Sequence, residues 1–408
     1  MDFIPQFYYF CFLKVMVMDF LYELYASKLA GTPTDFVRYL YNKIDWNSQL
    51  IVIVGTRGVG KTTLLFQRIK LSGAKDTSLY ISADNTYFTA NSLFDTAAAF
   101  CKNGGKVLYI DEVHKYPNWS KEVKMMYDYL PDLKLVVTGS SILDIISGTD
   151  ADLSRRAITY ELHGLSFREY LNYSLNLNIQ PFELDDILTG KADITDKVPH
   201  PIAHFKQYLQ CGYFPFYGQD NYQLRLENVI NHTLEIDIPT FANMNISTAR
   251  KLKKLLYIIS QSVPFKPKYT EIGRAISADR GSVADYMVFM EKAGLINRLM
   301  LADGGMAMME KVEKVYLANT NLIYALSGGS AEIGNVRETF FLSATSVNQK
   351  VTASQVSDFK IDVCTFEVGG KSKGKRQIQN VENAFVVKDD IEHAYMNTIP
   401  LWAFGLNY

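Results

Sequence analysis

Hydrophobic residues in the first part of this chain gather into short runs that end in small or polar residues. Segments with the 3.6-residue spacing of helices lie between the runs. Buried strands that alternate with helices are typical of a parallel sheet covered on both faces, so the pattern predicts an α/β fold. The five predicted strands cover residues 50–54, 78–84, 107–110, 133–138 and 157–163.

A glycine-rich loop follows the first predicted strand and leads into a helix. It fits the pattern G-x-x-x-x-G-K-[ST], whose glycines let backbone N–H groups converge on phosphate oxygens at the positive end of the helix. Lys61 can reach the β- and γ-phosphates of a nucleotide, and the Thr62 hydroxyl can ligate Mg²⁺. The predicted nucleotide-binding residues of this loop are Gly55, Thr56, Arg57, Gly58, Val59, Gly60, Lys61, Thr62 and Thr63.

Two carboxylates follow the third predicted strand. Asp111 can hold Mg²⁺, and Glu112 points differently and can polarise an attacking water. This pair is typical of P-loop proteins that hydrolyse ATP with a glutamate base, so ATP and Mg²⁺ are the expected cofactors. The fourth strand ends in hydroxyl residues, Thr138, Ser140 and Ser141. One of them could contact the γ-phosphate, and we assign Ser140 to the site.

The overall composition excludes few classes of protein, and the clearest exclusion is a strongly basic protein that binds nucleic acid through its net charge. The chain has 408 residues, with 42 Lys and Arg against 43 Asp and Glu. Global charge therefore does not favour binding to nucleic acid, although a local basic patch remains open. The four cysteines are far apart and have no metal-ligand spacing, which favours free thiols in a reducing cytoplasm.

The amino terminus contains an unusual apolar stretch. Residues 3–18 are apolar but shorter than the roughly 20 residues needed to span a bilayer, and no basic segment precedes them. We therefore expect no transmembrane segment and no secretory signal. Met18-Asp-Phe repeats Met1-Asp-Phe. Met18 is thus a candidate start, and an apolar helix docked on the domain or on a membrane surface is the alternative.

A predominantly helical region and a small helical unit follow the predicted sheet. Residues 166–245 have mostly helical spacing. Residues 248–301 predict three helices and a strand, the order of a winged helix. Its third helix carries Asp285, Glu291 and Lys292 and is not basic. We therefore favour a docking site for a protein partner or a hinge over contact with nucleic acid.

The last hundred residues carry an altered acidic motif. Asp358 and Glu367 stand on neighbouring predicted strands, as do the acids of PD-(D/E)xK nucleases, where Glu-x-Lys places two side chains on one face. Gly369 stands where that lysine should be. A bulge at the adjacent glycine pair could restore Lys371. The simpler interpretation is a nuclease fold whose catalysis is lost or uncertain.

The order of these motifs resembles that of prokaryotic AAA-type (AAA+) ATPases with a winged helix and a PD-(D/E)xK nuclease-like C-terminal domain. The resemblance covers most of the chain from about Asp35. It implies that Ser140 or Ser141 senses the γ-phosphate. It also implies that Arg155 or Arg156 approaches a γ-phosphate of the same or a neighbouring subunit of a homo-oligomer. The matching segments are 55–63, 109–114, 136–141, 153–156 and 165–170.

The resulting hypothesis is an Mg²⁺-dependent ATPase that couples its nucleotide state to an effector module. Lys61, Glu112 and Arg156 are its expected catalytic residues, and Thr62 and Asp111 its metal ligands. Two alternatives remain: a nuclease or nucleic-acid-binding protein gated by ATP, and an ATP-dependent protein-interaction switch that does not hydrolyse. The expected divisions are an apolar segment (1–34), the P-loop core (35–165), a helical lid (166–246), a winged helix (247–305) and a nuclease-like domain (306–408).

Overall fold

The chain forms two compact units, the first ending at Leu162 and the second running from His163 to Tyr408. The computed structural model describes residues 19–139, 153, 155–242, 244–261, 264–301, 312–328, 331–374 and 376–408. Ser140, Ser141 and both candidate start residues, Met1 and Met18, lie outside these ranges. Within them, no helix has the length and apolarity needed to cross a membrane.

The first unit is built on a five-stranded parallel sheet in the order β2-β3-β4-β1-β5. Its strands are β1 (Leu50–Val54), β2 (Ser78–Ser82), β3 (Val107–Asp111), β4 (Lys134–Thr138) and β5 (Ile158–Glu161). Its helices are α1 (19–30), α2 (Lys61–Leu71), α3 (Leu93–Lys102) and α4 (Trp119–Tyr129). All five predicted strands are therefore present, and the α/β prediction is confirmed.

Burial explains why the strands are so apolar. Every residue of β1 is buried, and β2, β3 and β4 each have four buried residues out of five. Strands covered on both faces must be apolar at consecutive positions, unlike strands with one wet face. The edge strand β5 is mostly exposed, and its sequence alternates between apolar and polar residues.

The strand order brings three loops to one edge of this sheet. Strand β4 pairs with β1 on one side and with β3 on the other, and Val137 is aligned with both Val52 and Ile110. All strands run the same way, so their carboxyl ends meet at that edge. The loop after β1, the acids that end β3 and the hydroxyl that ends β4 consequently face one another. This is where open α/β sheets bind ligands.

The second unit begins with helices and continues into a hairpin. The helices are α5 (Phe167–Leu175), α6 (Leu184–Leu188), α7 (Pro201–Cys211), α8 (Tyr222–His232), α9 (Ile238–Phe241), α10 (Ile246–Ser260), α11 (Tyr269–Ile276) and α12 (Arg280–Lys292). A π-helical turn, Thr233–Asp237, joins α8 to α9. Strands β6 (Ile296–Met300) and β7 (Val312–Leu317) then pair antiparallel. The expected boundary at 305/306 thus falls inside this hairpin.

The unit ends in a mixed five-stranded sheet in the order β12-β11-β10-β9-β8. Helices α13 (Thr320–Leu326) and α14 (Ile333–Thr345) precede it. The strands are β8 (Val351–Ala353), β9 (Phe359–Ile361), β10 (Cys364–Gly369), β11 (Ala384–Lys388) and β12 (Thr398–Pro400). Strand β9 pairs antiparallel with both β8 and β10, and β10, β11 and β12 are parallel to one another.

Aromatic side chains join the early helices to this last sheet. Phe205 of α7 packs edge-to-face on Phe340 of α14, and Phe341 contacts Phe366 and Phe404. Arg168 of α5 is buried and donates to the Tyr408 carbonyl at 2.7 Å. The helices expected to form a lid therefore share a core with the C-terminal sheet, and closure over a nucleotide stays a prediction.

Candidate functional site

The loop after β1 has the backbone that its glycines permit. Gly60 is the residue before α2, and its backbone has φ 97°. Residues other than glycine rarely adopt this left-handed conformation. Gly55 lies against β5, where an added Cβ would come within 2.3 Å of the Leu162 carbonyl oxygen. Both positions thus require glycine, and the loop wraps the amino end of α2 where an anion is stabilised.

Lys61 is held over this loop. It is 6% exposed, and its Nζ donates to the carbonyl oxygens of Gly55 at 2.7 Å and Thr56 at 3.0 Å. A buried ammonium requires such partners because desolvation of a charge is costly. The lysine is therefore positioned at the loop by backbone acceptors that a phosphate could replace.

Asp111 is the centre of a buried hydrogen-bond cluster. It is 2% exposed and accepts from the Thr62 hydroxyl at 2.6 Å, the Tyr80 hydroxyl at 2.8 Å and the Thr138 hydroxyl. Burial, followed by the neighbouring Asp111 charge, raises the pKa of Tyr80, which therefore stays protonated as a donor. The structure thus brings together the two predicted metal ligands, a hydroxyl and a carboxylate. Such oxygen donors suit Mg²⁺.

The backbone turns away from the direction of β3 at Glu112. Its φ is 52°, and its backbone N–H faces Asp111 Oδ1 at 3.1 Å and Thr138 Oγ1 at 3.3 Å. Its side chain is 21% exposed, and its carboxylate lies 3.5 Å from the Nε2 of His114. The left-handed turn separates the two acids, so one is buried in hydrogen bonds while the other keeps access to solvent. The roles of Asp111 as metal ligand and Glu112 as base stay predictions.

Two site residues were missed by the sequence reasoning. Tyr80 lies in the middle of an apolar strand, where a tyrosine is normal and gives no signal. Arg38 is 5% exposed and donates to the Val59 carbonyl, so it supports the loop from a segment before β1. Its distance from the motif in sequence hid this contact.

Arg156 is engaged elsewhere on the first unit. Its Nε donates to Asp128 at 3.0 Å, and its guanidinium lies over the Tyr127 ring with 5.7 Å to the centroid. Arg155 is exposed. Neither arginine is brought to Lys61 by the contacts described, so an approach to a γ-phosphate stays a prediction.

A second cluster of charged groups lies in the second unit. The buried Glu367 carboxylate contacts the Lys373 ammonium and accepts from the Ser357 hydroxyl. Asp358 accepts from the backbone N–H of Val368 at 3.0 Å. Burial, and next the charge of Glu338, raises the pKa of Asp358 to about 6. Three carboxylates from α14, the turn before β9 and β10 therefore share one region.

The lysine of this cluster is not the one expected. Lys371 is exposed, and its backbone carbonyl accepts a hydrogen bond from the Lys388 ammonium. Lys373 instead turns back over the sheet. An added Cβ at Gly369 would lie 2.6 Å from Lys373 Cγ. Lys373 thus occupies the space of a side chain at position 369. The proposed rescue through Lys371 is wrong, because the turn at 370–373 brings a later lysine into place.

The comparisons with known proteins cover parts of both units. Residues 47–171 match the family model of the AAA domain. This part of the chain is similar to an AAA domain. A second family model, a domain of unknown function, matches residues 202–333. The uncharacterized protein MJ1637 of Methanocaldococcus jannaschii is 28% identical over 321 residues, which span 69% of this chain and 67% of that protein.

Two solved structures show weak similarity to this chain. One is Orc1 of Aeropyrum pernix in complex with DNA, 11% identical over 71% of this chain and 88% of that one, with a TM-score of 0.31. Another is AMPPCP-bound DnaA from Aquifex aeolicus, 18% identical over 62% and 84%, with a TM-score of 0.24. Similarity at this level says nothing about what this chain acts on.

Proposed function

We propose that this protein binds ATP and hydrolyses it with Mg²⁺ at the AAA domain. The observation that carries the proposal is the 2.6 Å hydrogen bond from Thr62 to Asp111 beside the buried Lys61. It joins the phosphate loop to the acidic strand in the arrangement that P-loop chemistry needs.

The residues present fit both expected cofactors. The loop offers backbone N–H groups and the Lys61 ammonium to phosphates, and Thr62 and Asp111 would hold Mg²⁺. When bound, Mg²⁺ supplies a positive charge that offsets the charge of the β- and γ-phosphates. Lys61 exchanges its two backbone acceptors for phosphate oxygens, and the hydroxyl groups of Tyr80 and Thr138 hold the Asp111 carboxylate in one orientation.

Glu112 is the proposed general base. Its partly exposed carboxylate can accept a proton from water, while Asp111 is occupied by three hydroxyl donors. His114 lies beside Glu112 and restricts its orientation. A carboxylate in such a position contributes roughly 10²–10⁴-fold to a rate by general base catalysis.

Two substitutions test binding and turnover separately. We expect Lys61→Ala to abolish ATP binding, because the loop loses its phosphate-binding cation. Glu112→Gln should bind ATP normally and hydrolyse it at least about 100-fold more slowly. Fluorescent-nucleotide titration and phosphate release measure the two effects. Lys70→Ala, an exposed lysine of the same helix, is the control. Equal turnover of wild type and Glu112→Gln would refute the mechanism.

We also propose that residues around α10–α12 and the β6–β7 hairpin form a winged helix that acts as the effector module. Three successive helices followed by an antiparallel hairpin support this assignment. The third helix, α12, begins with Asp279 as its cap, bonded to the Ser282 N–H at 2.9 Å. Its mixed charges favour a protein partner over nucleic acid, and a homo-oligomer remains part of the proposal.

The C-terminal sheet supports a second proposal, a nuclease-like domain whose site is closed. Lys373 restores the lysine of the motif, which favours a nuclease ancestry. Yet among the described residues no three His, Cys, Asp or Glu side chains are arranged to hold a metal ion. The residues as they stand do not fit the metal that such chemistry requires.

We therefore expect the wild-type protein to cut no nucleic acid. The measurement is incubation of single- and double-stranded DNA and RNA with Mg²⁺ or Mn²⁺, with and without ATP, followed by gel analysis. Glu367→Ala is the matched variant, since it removes the buried carboxylate of the cluster. Cleavage by the wild type that disappears in Glu367→Ala would show that the site is open and active.

A further inference from the structure

A cavity of about 390 Å³ lies in the first unit, on the face of the parallel sheet that α2 covers. Arg68 lines it from α2. Its floor consists of two pairs of aligned residues on β3 and β4, namely Val107 with Lys134 and Tyr109 with Val136. Residues aligned on neighbouring strands project from the same face of a sheet. The volume lies at the small end of the range for sites that bind small molecules, roughly 300–1,000 Å³.

This cavity is distinct from the candidate ATP site. The phosphate loop follows the carboxyl end of β1, whereas Lys106 stands directly before the amino end of β3 and Lys134 begins β4. None of the described residues that line the cavity belongs to the loop 55–63 or to the Asp111–Glu112 pair. Helix α2 begins at the phosphate loop and reaches the cavity with its last turns, so the two places lie at opposite ends of one helix.

The lining carries more positive than negative charge. Three cations and one carboxylate contribute to it: Arg68, Lys106, Lys134 and Asp132. Within the part of the chain that the structure describes, none of the three cations forms an ion pair with a carboxylate. The exposed Asp45 lies outside the lining, and hydrogen bonds from Ser48 and Asn47, followed by the Lys134 charge, lower its pKa. Even when Asp45 is counted with Asp132, an excess of one positive charge remains, which favours an anion.

Aromatic side chains line the cavity beside these charges. The Arg68 guanidinium lies 5.0 Å from the centroid of the Trp46 ring, which is only partly buried. The Tyr109 hydroxyl is a hydrogen-bond partner of Arg68. Burial, opposed by the Arg68 charge, raises the pKa of Tyr109 to about 12, so the phenol stays neutral. Aromatic surfaces stack planar rings, and a guanidinium binds carboxylate or phosphate through paired N–H groups.

We propose that this cavity binds a small anion that carries a planar ring, the chemical class to which nucleoside monophosphates belong. Arg68, Lys106 and Lys134 receive its charged group, and the Trp46 ring stacks on its planar part. The site is a second ligand site of the first unit, separate from the ATP site, and its occupation does not require ATP hydrolysis.

Removal of the positive charges tests the site. Adenosine monophosphate, guanosine monophosphate and inorganic phosphate are each titrated calorimetrically into full-length Lys61→Ala protein without Mg²⁺, so that the phosphate loop contributes little. We expect one equivalent of at least one nucleoside monophosphate to bind. Lys106→Gln combined with Lys134→Gln should weaken this binding at least about tenfold, because two cations leave the cavity. Lys102→Gln, an exposed lysine of α3 outside the lining, is the matched control and should change nothing.

A substitution of Trp46 separates recognition of the ring from recognition of the charge. Trp46→Leu should weaken the binding of the nucleoside monophosphate about tenfold, since stacking on an aromatic side chain is lost. The affinity for inorganic phosphate, which has no ring, should stay the same. Circular dichroism checks the fold of this variant, and the exposed or partly buried lysines carry the test if Trp46→Leu does not fold.

Three results would overturn the proposal. One is the absence of binding of both nucleoside monophosphates to the folded Lys61→Ala protein. Another is binding that the double lysine variant leaves unchanged, since the ligand would then lie elsewhere. The third is an equal loss of affinity for nucleotide and inorganic phosphate in folded Trp46→Leu, which would remove the role of the ring. Turnover of ATP by wild type and Glu112→Gln is measured separately, so failure of the ATPase mechanism remains distinguishable from each of these results.

Discussion

At the scale of single residues, Asp111 shows how a buried acid is kept ready for a cation. Three hydroxyl groups donate to it, one from each of the segments that flank it. Such hydrogen bonds fix the orientation of a metal-binding carboxylate. Tyr80 is the donor that the motif does not include, and it lies one strand away on β2.

Loss of the Tyr80 hydroxyl should therefore weaken the metal site selectively. We expect Tyr80→Phe to raise the Mg²⁺ concentration needed for half-maximal ATP hydrolysis about tenfold. Loss of a group that hydrogen-bonds a metal ligand commonly weakens metal binding by such a factor. ATP binding measured without metal should not change. Tyr87→Phe, on the loop after the same strand, is the matched control. A parallel loss of metal-free ATP binding would show that Tyr80 supports the whole loop.

The sequence predicted the residues that act locally and missed those that act across the fold. Lys61, Thr62 and Asp111 belong to short motifs whose spacing follows from one turn and one strand end. Lys373 could not be found this way, because its position depends on a turn that reverses the chain over Gly369. Lys314, whose ammonium lies 3.4 Å from Glu338 Oε2, belongs to no motif at all, because its strand is part of the separate β6–β7 hairpin.

At the scale of elements, the conformation of the loop after β1 and the start of α2 depend on each other. The loop passes so close to β5 that Gly55 has no room for a side chain, and Gly60 then starts the helix in a left-handed conformation. The distance between the Gly55 loop and the segment at Leu162 therefore constrains the conformation of the loop. The apolar runs predicted these elements well because both faces of the sheet are covered, which removes ambiguity about period.

The Gly55 contact yields an element-scale prediction. We expect Gly55→Ala to destabilise the protein by about 1–3 kcal/mol, because its Cβ would overlap the Leu162 carbonyl. Displacement of the loop should also reduce ATP affinity at least about tenfold. Urea unfolding and nucleotide titration measure the two effects.

Gly73→Ala serves as the control for that loop. Gly73 also has positive φ, 67°, but an added Cβ would meet nothing within 4 Å. Its substitution should cost about 1–2 kcal/mol of backbone strain and leave ATP affinity unchanged. Equal affinity of both variants for ATP would mean that the loop tolerates displacement.

At the scale of the whole molecule, the chain has two compact units where five segments were expected. The helices of 166–246, the hairpin and the C-terminal sheet share packing, for instance between Phe205 and Phe340. Local periodicity predicts helices and strands but carries no information on which of them bury a common face. The two units divide at Leu162, directly after the last strand of the parallel sheet.

Two units with separate cores should respond differently to nucleotide. Trp46 and Trp119 report on the first unit and Trp402 on the second. In urea, ATP with Mg²⁺ at about 100 times its dissociation constant should stabilise the first unit by about 2.7 kcal/mol. The Trp402 signal of a Trp46→Phe/Trp119→Phe variant should not shift. An equal shift in both signals would show that the units unfold as one.

The lysine that fills the space over Gly369 ties two positions of the chain together. Any residue larger than glycine at 369 would displace Lys373, and a lysine returned to 369 would release position 373 from its contact with Glu367. Substitutions at the two sites should therefore occur as pairs among homologues rather than singly. A search for such paired changes, rather than for a fixed spacing from Glu367, would identify other chains that use the same displaced lysine.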